Sequence, residues 1–350
     1  MSMQRKEIDA LIIGQGLAGS LLAWTLIQKG QSAFILDDDH RSSSSMVAAG
    51  IINPVAGKRF KPIENFSSLF DTAQNLYQDL EDFFSVQFHR KLPQFRSFQN
   101  EEEQVFWKKR ISEKESQNFF TPEVSSHPKL YPQKLGGTQI ESTFQVSVPT
   151  LLQKIRKYLQ SKQAYQKASL DYSEIKISSE HILWKNIQAK RVVFCQGYQN
   201  INNPWFRDIG LNPAKGEILH IQSKTSTDML HWGHWWLPDF HRPNHYRLGS
   251  NYAWENLHLL PSQDVYEQLL SSLDQNLKLD SYQVIQQETG IRPASKDRKP
   301  LIGSHLDHKN LFCFNGFGSK GCILIPHYAQ VLSDHLVQQK PLPAEAKLWR

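Results

Sequence analysis

The chain has 350 residues, 39% hydrophobic and 21% charged, with a formal net charge of +6 and a pI near 9.0. That balance suits one large globular domain or two ordinary ones and excludes a disordered or fibrous chain. No apolar run approaches the roughly 20 residues a bilayer span needs, and the mild basicity permits a polyanionic partner without requiring one. The polar opening Met1, Ser2, Met3, Gln4, Arg5, Lys6, Glu7 is expected to lead straight into a strand, with no signal peptide. Cys195, Cys313 and Cys322 make no disulfide framework and read as buried thiols of a reducing, cytoplasmic compartment.

The first predicted strand, Asp9, Ala10, Leu11, Ile12, Ile13, runs into Gly14, Gln15, Gly16, Leu17, Ala18, Gly19 and an apolar helix reaching about Gly30. A second strand, Ala33, Phe34, Ile35, Leu36, closes on Asp37 and Asp38. Strand, glycine turn, helix, strand and acid are the parts a dinucleotide adenylate requires. Gly14 allows the tight turn, Gly16 a close approach to the pyrophosphate and Gly19 close packing of helix on sheet. The helix N-terminus, with Leu17 and Ala18, supplies N–H groups and positive potential. Asp37 is placed to accept from ribose hydroxyls, with Asp38 beside it as a further candidate contact.

Residues 41–60 carry Ser42, Ser43, Ser44 and Ser45, then Met46, Val47, Ala48, Ala49 and Gly50. Directly after a nucleotide-binding unit, such small residues let backbone N–H groups approach a planar ring or a phosphate, which makes Ser45, Ala49 and Gly50 candidate cofactor contacts. Apolar spacing predicts a core-facing helix over 66–84. Residues 87–137 are polar, with a short strand at 95–98, and suggest a second domain inserted into the first. The first domain is expected to resume at Phe144, Gln145 and Val146, with a helix over 148–159. It then gives a fully buried strand, Arg191, Val192, Val193, Phe194, ending at Cys195, Gln196 and Gly197. Such a strand abuts a cofactor at the carboxyl edge of a parallel sheet, so Gly197 joins the candidates. Residues 211–286, with strands at 217–221 and 245–249 and a helix over 262–277, read as the rest of the second domain.

Near the C-terminus, Gly290, Ile291, Arg292 and Pro293 precede Asp297 and Pro300, then the strand Leu311, Phe312, Cys313, Phe314. A second glycine loop, Asn315, Gly316, Phe317, Gly318, Ser319, Lys320, Gly321, opens a helix to about Val337. A loop of this kind, far from the first, suits a cofactor with an electron-rich end elsewhere in the fold. An isoalloxazine ring is such an end, and a helix N-terminus with Lys320 would stabilise negative charge near its N1 and O2.

Assembled, these blocks resemble the D-amino-acid oxidase, glycine oxidase and sarcosine oxidase family of FAD enzymes. The resemblance rests on the 14–19 glycine unit with Asp37, on 45–50, on the strand ending at Gly197, on the Arg292 block with Asp297 and Pro300, and on 316–321, in family order. It implies an α/β fold, a Rossmann-like FAD-binding domain, with an α+β second domain that binds substrate on an antiparallel sheet. The expected boundaries are 1–80, 140–205 and 287–350 for the FAD domain, and 81–139 and 206–286 for the substrate domain.

The resemblance also implies that Arg292 clamps a substrate carboxylate and that Lys320 lies by the flavin. A guanidinium can hold a carboxylate bidentately, which fixes the reacting carbon. The implied reaction is oxidation of an amine or amino acid, with hydride passing from the carbon next to nitrogen to flavin N5 and water hydrolysing the imine. No cysteine stands near Arg292 and Pro293, so FAD is expected to be non-covalent. Trp235, among Trp232, Trp235 and Trp236, is the candidate aromatic wall of the substrate site. His231, His234, His241 and His245 crowd the same region without the ligand spacing of a metal site, and no metal is expected.

Two other readings stand beside this one. One relative of the family is the flavin domain of the bifunctional enzyme that oxidises the carboxymethylaminomethyl group of tRNA wobble uridine. The spread of Lys and Arg along the chain argues against tRNA. A flavin protein without turnover is the non-enzymatic reading, and Arg292 with Lys320 argues against it.

Overall fold

The computed structural model describes residues 5–39, 43–132, 134–225 and 228–349. Met1 to Gln4 of the polar opening and Arg41 and Ser42 of the serine segment lie outside the described residues. The chain divides into two compact units: Met1–Ala48 with Val148–Ala214 and Ile291–Arg350, and Ala49–Ser147 with Lys215–Gly290.

The first unit is built on an eight-stranded sheet. Strand β1 (Lys6–Ile13) feeds helix α1 (Leu17–Gln28), which returns to strand β2 (Ala33–Asp37). Five strands run parallel in the order Tyr165–Lys167, β2, β1, Ile187–Phe194, Leu311–Asn315. Ile13 pairs with Leu36 on one side and Phe194 on the other, and Phe194 pairs with Cys313. Four carboxyl ends therefore stop in one row, where a doubly wound sheet binds its ligand. The apolar runs read as strands because both sheet faces are covered: Leu11, Ile12, Leu36, Val192, Val193 and Phe194 are fully buried. Helix α1 is apolar on nearly all sides because it packs on helices Gly321–Gln338 and Val148–Ser161 as well as on the sheet.

The second unit carries a seven-stranded sheet in the order Gln283–Arg292, Ala214–Gln222, His245–Gly249, Trp235–Pro238, Met229–His231, Gln94–Ser97, Gly137–Ile140. Within this sheet, expected to be antiparallel, Met229–His231 runs parallel to Gln94–Ser97. Leu269 and Leu273 of helix Gln263–Asn276 pack on Leu219, Leu230, Trp236, Tyr246 and Leu248 from one face of this sheet.

The boundaries differ from those expected, for reasons of packing. Residues 49–80 belong to the second unit, because helix Phe66–Phe84 packs Phe66 edge-to-face on Phe119, Phe70 at a tilt on Phe144 and Tyr77 edge-to-face on Phe88. Phe144–Val146 belongs there too, paired with Ile51–Ile52 and His89–Lys91. Residues 206–214 stay with the first unit, where Phe206 packs on Phe194 and Leu211 bridges Ser295. Among the described residues no helix is long and apolar enough to cross a membrane.

Candidate active site

At the end of β1 the backbone turns through Gly14, φ +102°, where a Cβ would stand 2.6 Å from the Cys195 carbonyl oxygen. A Cβ on Gly19 would fall 1.9 Å from the Gly14 carbonyl oxygen, so helix and turn touch backbone to backbone. Gly16 caps α1 without a side-chain bond, and no acidic residue occupies the first helical turn. The positive end of the helix is therefore not neutralised by a carboxylate of that turn. Ser45 Oγ accepts the Leu17 N–H at 3.0 Å and lies 3.1 Å from where a Gly16 Cβ would be, so it is gathered to the turn.

Asp37 ends β2 beside this turn. Its Oδ2 accepts the Gln15 N–H at 2.7 Å and its Oδ1 the Asp39 N–H at 2.8 Å. Each carboxylate oxygen keeps acceptor capacity for a further donor. Asp38, the next residue, is exposed.

The second glycine loop starts from the neighbouring strands. Asn315 Nδ2 donates to the Gly197 carbonyl at 2.8 Å, and Asn315 Oδ1 accepts the Gly316 N–H at 2.9 Å. Gly197, φ +56°, has no atom within 4 Å of its would-be Cβ. Past Gly316, Phe317 bridges Ala294 and the Gly318 N–H donates to the Pro293 carbonyl at 3.1 Å. These bonds bring the turn after Arg292 against the loop that carries Lys320. Lys320 ends the short turn Gly318–Lys320, ahead of helix Gly321–Gln338, and is half-buried like Arg292, whereas Ser319 is exposed.

The remaining candidates lie in the second unit. A Cβ on Gly50 would stand 1.8 Å from the Val146 carbonyl oxygen, and the Ala49 carbonyl accepts from Arg247 Nη2 at 3.1 Å. The small residues there serve close packing within that unit, a role their sequence context did not show. Trp235 lies half-buried over Gly249, where a Cβ would stand 2.7 Å from its Cζ2. Trp232 and Trp236 are core: Trp236 stacks on Tyr246 at 4.6 Å, and Trp232 Nε1 donates to Ser272 Oγ at 3.0 Å.

His234 Nδ1 shares Ser272 Oγ, and His245 Nδ1 faces the Pro243 carbonyl. Burial, with Arg96 and His234 nearby, holds His231 well below its ordinary pKa and so neutral. Among the described residues no three His, Cys, Asp or Glu side chains gather as a metal set. All three cysteines are free and buried, and burial pushes the Cys195 and Cys313 thiols far up, which leaves them protonated.

Reasoning from sequence did not single out Gln15 or Arg156. Gln15 is 2% exposed, and Arg156 Nε donates to its Oε1 at 2.6 Å across a gap of 141 residues. A variable position inside a glycine turn and a charged residue on an amphipathic helix carry no local signal that they meet.

The glycine turn, the acid at the end of β2 and the aligned carboxyl ends define a dinucleotide-binding α/β protein. The family described as FAD dependent oxidoreductase matches residues 9–335, and the chain belongs to it. It is an oxidoreductase, and FAD is its cofactor. The Gly14, Gly16 and Gly19 cradle, the helix end with no acidic residue in its first turn and the Asp37 carboxylate fit such a group.

Glycine oxidase of Pseudomonas putida is 22% identical over 355 residues, 95% of this chain and 96% of that one. The tRNA 5-methylaminomethyl-2-thiouridine biosynthesis bifunctional protein of Leptospira borgpetersenii is 22% identical over 401 residues and 97% of this chain, which spans only 58% of that protein's length. Among solved structures, glycine oxidase from Geobacillus kaustophilus superposes with a TM-score of 0.81 at 19% identity, covering 98% of this chain and 99% of that one. Iminodiacetate oxidase from Chelativorans does so at 0.78 and 17%, covering 96% of each. At those identities the likeness establishes the fold.

Proposed function

We propose that this enzyme oxidises a small amine or amino acid bearing a carboxylate, at the carbon next to nitrogen, and that the resulting imine is hydrolysed to a carbonyl compound and a shorter amine or ammonia. The observation that carries this reading is the tie between the two cation-bearing loops, Phe317 on Ala294 and the Gly318 N–H on the Pro293 carbonyl. It brings the segment that follows Arg292 against the turn that ends in Lys320.

FAD, when bound, supplies the acceptor for the hydride and its electron pair. The 14–19 turn, with Leu17 and Ala18, would hold its pyrophosphate, Asp37 its ribose with Asp38 alongside, and Gly197, Gly316, Gly318, Ser319, Lys320 and Gly321 its ring end. Binding is non-covalent in this reading, since no cysteine stands by Arg292. Arg292 holds the carboxylate by paired N–H bonds and so fixes the reacting carbon. Lys320 adds positive potential where negative charge grows. Positioning carries most of the rate, because a neutral amine itself helps to expel hydride. Trp235 is the candidate substrate contact of the second unit, and the proposed compartment is the cytoplasm.

A second reading, oxidation of the carboxymethylaminomethyl group of a tRNA wobble uridine, is favoured by the bifunctional relatives that match 97% of this chain. Product analysis separates the two. With glycine, sarcosine or iminodiacetate as substrate, the first reading gives one carbonyl product per two electrons transferred. Turnover confined to modified tRNA, with salt-dependent retention of that RNA, replaces it with the second.

A further inference from the structure

We propose that Arg156 is the positioning residue of the adenosine end of FAD, holding the glycine turn and the ribose-binding carboxylate in one hydrogen-bonded frame. This rests on the reading of Asp37 as the ribose contact. Arg156 comes from helix Val148–Ser161, whose Leu151, Leu152, Ile155 and Leu159 are buried, so the helix is fixed by its apolar face. The guanidinium reaches three partners. Its Nε donates to Gln15 Oε1 at 2.6 Å, its Nη1 pairs with Asp39, and its Nη2 stands 3.6 Å from Asp37 Oδ1.

The orientation of the Gln15 amide is decided by its other bonds. Its Nε2 donates to Ser20 Oγ at 2.9 Å and to the Leu152 carbonyl at 3.1 Å, which leaves Oε1 as the acceptor facing Arg156. The Gln15 backbone N–H and the Asp39 N–H are the two donors to Asp37. Arg156 thus holds both residues that hold Asp37. Lys167 Nζ, 3.0 Å from Asp39, shares the load there, and Lys167 with Arg156 keeps that carboxyl below its ordinary range.

The guanidinium also lies 5.4 Å from the centre of the Tyr165 ring, whose hydroxyl is pushed up to about 12 by burial and by Asp37. Removing Arg156 would strip the buried Gln15 Oε1 of a charged donor and take a countercharge from the run Asp37, Asp38, Asp39. Among the described residues the hydrogen bonds and ion pairs of Arg156, Gln15, Asp37 and Asp39 stay with the 14–20 turn, the end of β2, Lys167 and helix Val148–Ser161, so the effect is expected at the adenosine end of the cofactor.

The test titrates apoprotein with FAD, ADP and FMN for wild type, Arg156→Ala, Arg156→Lys and Asp37→Ala. Arg156→Ala is expected to weaken FAD and ADP about tenfold or more, the scale of a lost charge-assisted hydrogen bond, and to leave FMN unchanged. Arg156→Lys recovers part of the loss, since a point charge replaces only part of a planar fork. Unchanged ADP affinity in Arg156→Ala, with Asp37→Ala weakened, overturns the role of Arg156 alone. Equal weakening of ADP and FMN overturns it as well, in favour of a general structural role. Unchanged ADP affinity in Asp37→Ala overturns the ribose reading beneath it.

Discussion

The two glycine loops of the first unit differ in crowding. At Gly19 a Cβ would meet the Gly14 carbonyl oxygen at 1.9 Å, and at Gly14 the Cys195 carbonyl oxygen at 2.6 Å. At Gly318 the nearest atom would be Ala294 Cβ at 3.5 Å, and at Gly321 the end of the Ile325 side chain at 3.2 Å. In the first loop glycine is needed because three backbones touch. In the second, Gly316 and Gly318 are needed for their positive φ, and Gly316 also for its approach to Leu301. Around Gly197 there is room, and at Gly321 the obstacle is the movable end of a side chain. In the proposed function the first loop is a fixed mould for a phosphate, whereas the second is a turn set by the positive φ of Gly316 and Gly318.

The sharpest way to break this contrast is to add one methyl to each loop. Gly19→Ala is expected to cost on the order of 5 kcal/mol or abolish soluble holoprotein, because the obstacle is backbone that cannot rotate away. Expression, flavin content and thermal unfolding report it. Arg292→Ala comes next: KM for a carboxylate-bearing substrate should rise by the equivalent of about 2 to 5 kcal/mol with flavin content unchanged, and an unaltered KM removes Arg292 from the site.

Lys320→Met is expected to lower kcat/KM by about 1.5 to 3 kcal/mol, mostly in kcat, since its charge acts as electron density arrives. Steady-state kinetics with the flavin spectrum as a loading control checks this. Gly321→Ala should change stability by less than about 1 kcal/mol, because the Ile325 side chain can give way and alanine favours the helix. If it proves as damaging as Gly19→Ala, the contrast between the loops fails.

The 14–19 unit was legible because its strand, turn, helix and acid lie within some thirty residues, each with its own local signature. The helices over 66–84 and 262–277 were legible for the same reason: their apolar faces repeat at helical spacing, and Phe66–Phe84 and Gln263–Asn276 are found there. What escaped was decided by long-range pairing. The two-residue strand Ile51–Ile52 has no periodicity of its own, yet its pairing with Phe144–Val146 carries both segments into the second unit. Arg156 escaped likewise, since its meeting with Gln15 depends on how a helix docks on α1. The tie between Pro293 and Gly318 was also hidden, although each flanking motif was visible.

The most direct test of the central claim is anaerobic mixing of the purified holoprotein with glycine, sarcosine, iminodiacetate, proline and D-amino acids, following the flavin absorbance in the stopped flow. The account predicts bleaching by at least one of these, saturating with concentration and lost or strongly right-shifted in Arg292→Ala. A full complement of flavin that none of them bleaches, or bleaching that Arg292→Ala leaves unchanged, would contradict it.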